Sequence, residues 1–221
     1  LTDAFANVVL EAMSSGVPAI AFPVGGPKFL IEDNKSGLIA NTEDELAVLR
    51  DAGAFRNVLL VEEPNGSFAE SIVRQFFFDT WHLPLLRALA QSCDPRIAEI
   101  AAKSAKEAAY HVERSGDWMI RLGDGTDESR SRMQAAVDAL WMYTGELFHA
   151  DALEQPLAAA GVAADVRALE APWQAHVAAV FAEATLAMPQ GVYMQGVKRP
   201  GGKAGVHTEH LGHLLAEMQF L

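Results

Sequence analysis

The sequence holds one cysteine, Cys93, in 221 residues. A lone thiol excludes an intrachain disulfide framework and a zinc site built on cysteines, and it fits a reducing compartment. Basic residues are also scarce: 17 Lys and Arg stand against 29 Asp and Glu, a formal net charge of -12. Phosphate binding along a nucleic acid needs clustered Lys and Arg, so no nucleic-acid partner is expected. No apolar run reaches the roughly 18 residues that a membrane helix needs, and no basic stretch with an apolar run behind it marks a leader. What is present is 50% hydrophobic, enough for a core. These features predict a soluble, acidic, cytoplasmic chain with no membrane partner.

Two textures divide the chain. Residues 1–41 alternate short helical and apolar strand-like runs in α/β style. Phe5 to Met13 suits a helix, and Val17 to Phe22 a strand. Pro23-Val24-Gly25-Gly26-Pro27 turns the chain, Phe29-Leu30-Ile31 starts a second helix, and Leu38-Ile39-Ala40 reads as a second strand. From residue 42 the pattern is almost wholly helical. Ser67 caps a predicted helix to about Ala90, and Asp94-Pro95 opens one to Arg121, stopped by Leu122-Gly123-Asp124-Gly125. Thr126-Asp127 opens a third through Trp141 to Phe148. A shorter helix follows Asp151, a fifth covers Ala171 to Ala187, Gly191 to Gly205 is a loop, and Thr208 caps a last helix.

Several residue sets could carry chemistry. Asp3 and Glu11, seven residues between them, precede Gly16-Val17-Pro18 and Gly25-Gly26. An acidic helix residue can hold ribose hydroxyls, and a glycine turn brings backbone N–H groups close to phosphate. Asp79 and His82 are three apart on the first long helix, and Glu107 and His111 four apart on the second. Inward carboxylates with a Glu-x-x-His step hold two irons in some helical bundles, but the Glu position three before His111 is Ala108. Glu107 is rotated from it by about 100°. Interhelical hydrogen bonding is the alternative role for these four residues.

His207, His210 and His213 cluster with Glu209 and Glu217 around the last helix, where steps of three and four align His210, His213 and Glu217. An amphipathic helix packing Leu211, Leu214, Leu215 and Met218 explains the same residues without a metal. Trp81, Trp118, Trp141 and Trp173 fall one per helix, as core or interface residues would. Lys198, Arg199 and Lys203 form a local basic patch, suited to a coenzyme A phosphate or simply to solvent. Cys93 lies beside a helix start, where a thiolate is favoured, with no His at a spacing that argues for catalysis.

Residues 1–41 resemble the nucleotide-sugar-binding segment of GT-B retaining glycosyltransferases. That resemblance would put Glu11 on a ribose and Asp3 near the sugar, although Asp3 replaces the family's usual Glu and Phe29 stands where an acid usually follows the Gly-Gly. Residues 42–221 resemble the PaaC family, the non-catalytic structural subunits of the multicomponent phenylacetyl-CoA 1,2-epoxidase of aerobic phenylacetate catabolism. Five ordered blocks carry it: Asn57 to Gly66, Arg74 to His82, Lys106 to His111, Arg121 to Thr126, and Gly205 to Gly212 followed by Leu215 to Gln219.

This second resemblance implies a mainly α, ferritin-like helical bundle, lacking the family's first two helices and carrying the short α/β segment in their place, as in a fusion or chimeric sequence. It implies no catalytic residue and no cofactor on this chain, with Asp79, His82, Glu107 and His111 as vestiges of a metal site. A homologous catalytic PaaA-like subunit would hold the diiron centre, within an NADPH- and O2-dependent monooxygenase complex with further subunits. The alternatives are a diiron carboxylate oxygenase in its own right, and a nucleotide-sugar-binding glycosyltransferase remnant.

Overall fold

The computed structural model describes residues 19–21, 37–39, 52–190 and 201–219. Asp3, Glu11, Lys198 and Arg199, and the helices expected over 5–13 and from 29, lie outside the described residues. The chain divides into two compact units, residues 63–199 and residues 1–62 together with 200–221.

In the unit of residues 63–199, helix α1 (Phe68–Leu89) begins where the sequence places it. Ser67 Oγ accepts from the Glu70 N–H, and Glu70 Oε2 accepts from the Ser67 N–H at 2.6 Å. This reciprocal cap satisfies two N-terminal donors at once. It also holds the Glu70 carboxyl below its usual range, since both groups of Ser67 favour the anion. Val73, Phe76, Phe77 and Leu86 are fully buried on α1, and so are nearly all of Trp81, Asp79 and His82. A helix buried on several sides is the centre of a bundle. Helices α2, α3 and α5 all pack against it.

Helix α2 (Pro95–Gly123) starts at the Asp94-Pro95 signal, with Asp94 Oδ1 accepting from the Arg96 and Ile97 N–H groups. Its inward row is Ala101, Ser104, Ala108, Ser115, Met119 and Gly123, spaced by threes, fours and one double step. Most of these are small, so the α1 and α2 backbones can approach closely. Ala101 and Ala108 join Leu83 and Leu86 of α1 in one cluster.

Helix α3 (Asp127–Leu140) is capped by Thr126, as expected, but ends eight residues before Phe148. Trp141–Phe148 winds instead as a 3-10 helix. Trp141, Thr144 and Leu147, three apart, are all buried, and a three-residue turn aligns residues at that spacing. The Thr144 hydroxyl donates to the Trp141 carbonyl at 2.8 Å, closing the tighter turn. Helix α4 (Glu154–Ala159) is the short helix expected after Asp151, whose Oδ1 accepts from the Leu153 and Glu154 N–H groups.

Helix α5 (Glu170–Glu183) stops four residues before the expected Ala187. Thr185 has φ 56°, a left-handed conformation that ends the helix, and its hydroxyl donates to the Gly123 carbonyl at 3.0 Å. The close approach requires a glycine: a Cβ on Gly123 would collide with the Ala184 carbonyl.

Trp141, Trp173, Phe77, Phe76, Phe181 and Phe148 form an aromatic core, with ring centroids 5.2 to 6.3 Å apart. The Trp173 Nε1–H donates to the Phe77 carbonyl at 3.2 Å, so the buried indole is satisfied. Trp81 is 2% exposed and also in the core. Trp118 differs: it is half-buried, edge-on to Phe68 at 5.3 Å, with the Arg121 guanidinium 5.9 Å from its ring centre.

In the other unit, strands β1 (Ala19–Ala21) and β2 (Gly37–Ile39) pair in parallel, with Ile20 opposite Leu38. Both fall where the sequence predicted strands. Single 3-10 turns cover Ala52–Ala54, Leu59–Glu62 and Gly202–Ala204, none of them signalled by periodicity. Helix α6 (Glu209–Gln219) follows Thr208. The Thr208 hydroxyl, expected to cap it, donates to Glu62 at 2.9 Å.

Candidate functional site

Asp79 and His82 lie on α1 and Glu107 and His111 on α2, the helices the sequence assigned. Asp79 and His82 are deeply buried on α1, at 2% and 3% exposure. Asp79 Oδ1 accepts from Gln75 Nε2 at 2.6 Å, one turn earlier on the same helix. Burial pushes the His82 imidazole down to about 4, and the nearby His111 of α2 adds to the effect. His82 is therefore neutral near pH 7. Its ring lies 5.2 Å from Phe78 and 6.5 Å from Trp81.

His111 is half-buried, while Glu107 is exposed to solvent. Ala108, at 3% exposure, occupies the inward position beside Leu83 and Leu86. An inward Glu-x-x-His pair needs a carboxylate at that point. A methyl group stands there, and the carboxylate one position earlier faces outward. Among the described residues, no three His, Cys, Asp or Glu side chains converge as a metal site. The inward carboxylate that a Glu-x-x-His step would place on α2 is thus replaced by the Ala108 methyl group.

The histidines around α6 do not converge either. His213, Glu209 and Glu217 are exposed, His210 is half-buried, and His207 turns to Glu62, 2.6 Å away. Leu215 is buried as expected, but Leu214 is 54% exposed. Lys203 lies on the 202–204 turn. Cys93 is an exposed free thiol, and its N–H donates to the Gly161 carbonyl at 2.8 Å.

Two polar clusters escaped the sequence reading. In the first, the Tyr143 hydroxyl bonds the Glu63 carboxylate, and burial together with that negative charge raises the phenol above its usual range. The Arg74 guanidinium donates to the Glu63 carbonyl and, at 2.5 Å, to Asn65 Oδ1. The second gathers Asn57, Glu62, His207 and Thr208. The one signal for both was the acidic doublet Glu62-Glu63 directly after the apolar run Val58 to Val61.

Comparison with known proteins agrees with this architecture. Residues 1–54 match the family described as glycosyl transferases group 1. A sucrose synthase from Denitrovibrio acetiphilus is 51% identical over 49 residues, 21% of this chain but 6% of that protein. Residues 33–221 match the family described as phenylacetic acid catabolic protein. A protein from Escherichia coli named as one of the subunits of 1,2-phenylacetyl-CoA epoxidase is 51% identical over 179 residues, 81% of this chain and 71% of that protein. The helical architecture is the ferritin-like one of that family. The chain belongs to the phenylacetic acid catabolic protein family, the family that includes PaaA and PaaC.

Proposed function

We propose that this chain is a structural, non-catalytic subunit of a phenylacetyl-CoA 1,2-epoxidase in phenylacetate catabolism. The observation that carries the reading is its 51% identity, over most of its length, to a protein named as a component of that enzyme. Helix α2 supports the same division of labour: where a diiron bundle would place an inward carboxylate, Ala108 contributes a methyl group to the core. Asp79, His82, Glu107 and His111 then serve packing and hydrogen bonding, with no metal, cofactor or catalytic residue on this chain.

In this reading the chain stabilises a homologous catalytic PaaA-like subunit, which holds the diiron centre and performs the epoxidation, alongside the other subunits of the complex. Its own contribution is a rigid helical body with the aromatic core centred on Trp173. We further propose a junction near residue 42, with residues 1–41 a glycosyltransferase-like fragment and residues 42–221 the PaaC-like domain. A cytoplasmic site suits an assembly of this kind, and no described helix is long and apolar enough to cross a membrane.

Iron analysis of the purified chain tests the division of labour. A chain essentially free of iron after expression in iron-replete medium is the expected result. About two tightly held irons per chain would instead identify a diiron oxygenase in its own right.

A further inference from the structure

Lys106, Tyr110, Arg114 and Trp118 follow one another by fours along α2. Side chains at that spacing form one continuous ridge, here about 18 Å long. Lys106 and Arg114 are exposed, Tyr110 is 63% exposed, and Trp118 is half-buried. The ridge extends onto α1, where Phe68, 57% exposed, meets the Trp118 ring edge-on at 5.3 Å. Arg121, almost one turn beyond Trp118, holds its guanidinium 5.9 Å from the same ring centre.

Charge sets this surface apart from the rest of the chain. Among the described α-helices, α2 alone has more basic than acidic side chains, five against four, in a chain of net charge -12. Glu107, Glu113 and Asp117 are also exposed on α2, but they stand on the rows to either side. The ridge itself carries two cations and no acid. Elsewhere, Arg130, Arg132 and Arg167 each pair with a carboxylate. Among the described residues, none pairs with Lys106, Arg114 or Arg121.

This combination describes its complement. Trp, Tyr and Arg dominate the binding energy of protein interfaces, because each buries a large flat surface and keeps a polar handle. A ridge of residues four apart fits the groove between two such rows on another helix. Unpaired cations are costly to bury, so that groove must offer carboxylates beside an apolar floor.

We infer that the ridge from Lys106 to Trp118, with Phe68 and Arg121 at its end, is a docking surface for an acidic helical groove of the catalytic PaaA-like subunit. This assignment rests on the epoxidase role proposed above and adds to it the face through which the chain engages its partner.

Titration of the full chain against a tagged catalytic diiron subunit of the epoxidase type, read by interferometry, tests the surface. Tyr110→Ala and Arg114→Glu should each weaken binding about tenfold or more, and added salt should weaken binding of the unaltered chain. Leu153→Ala, which trims a side chain 70% exposed just before α4, should bind as the unaltered chain does. Hydroxyl-radical labelling of Tyr110 and Phe68 in the unaltered chain should fall on binding, a readout that needs no variant. Tight binding by both variants, or Tyr110 labelling unchanged in the complex, would overturn the assignment. So would loss of self-association by the chain alone in both variants, which would make a second copy the occupant. If the unaltered chain itself does not bind, the supporting role fails and this surface fails with it.

Discussion

His82 carries the clearest acid sensitivity of any single residue described. Its folded-state pKa of about 4 lies below the ordinary 6.5, so the unfolded chain binds the proton more readily. Stability is therefore full above about pH 6.5 and falls as pH drops toward 4, by on the order of 3 kcal/mol. Urea unfolding at a series of pH values should show this loss, and His82→Gln should flatten that part of the profile. Gly116 presents an opposite opportunity. It sits inside α2, and a Cβ there would meet nothing within 4 Å. Gly116→Ala should raise the unfolding free energy by about 0.5–1 kcal/mol, because alanine loses less backbone freedom on folding. At this scale the sequence located Asp79, His82 and Ala108 on the right faces through helical spacing. It could not reveal the Glu62 and Tyr143 clusters, whose partners come from distant positions that no local period connects.

Among the elements, helix starts were readable and helix ends were less so. Ser67, Asp94 and Thr126 act through neighbouring backbone N–H groups, so a few consecutive residues contain the whole signal. Ser67→Ala should cost about 1 kcal/mol, read as a lower urea midpoint with an unchanged slope. The ends depend on tertiary contacts. Helix α3 gives way to a 3-10 helix because Trp141, Thr144 and Leu147 share a buried face, and α5 stops where Thr185 reaches the end of α2. Gly123→Ala should therefore destabilise the bundle by about 1–3 kcal/mol, through collision with the Ala184 carbonyl rather than through helix propensity. Thermal or urea unfolding of Gly116→Ala and Gly123→Ala side by side separates the two effects, since a propensity effect alone would shift both the same way.

For the whole molecule, the mainly helical architecture followed from patterning from residue 42 onward, and the family from ordered blocks of residues spread over that stretch. Ala108 is buried at the position three before His111, and Glu107, one residue earlier, is exposed. Patterning alone could not say what such a bundle does. The proposed role of this helical body, with its aromatic core, is to support another subunit of the epoxidase. The direct test is co-expression with a tagged catalytic diiron subunit of the phenylacetyl-CoA epoxidase type, followed by affinity purification and size-exclusion chromatography. The expected result is a stable co-eluting complex that retains epoxidase activity when supplied with its reductase. Recovery of the catalytic subunit without this chain, at concentrations where both are folded, would contradict the account.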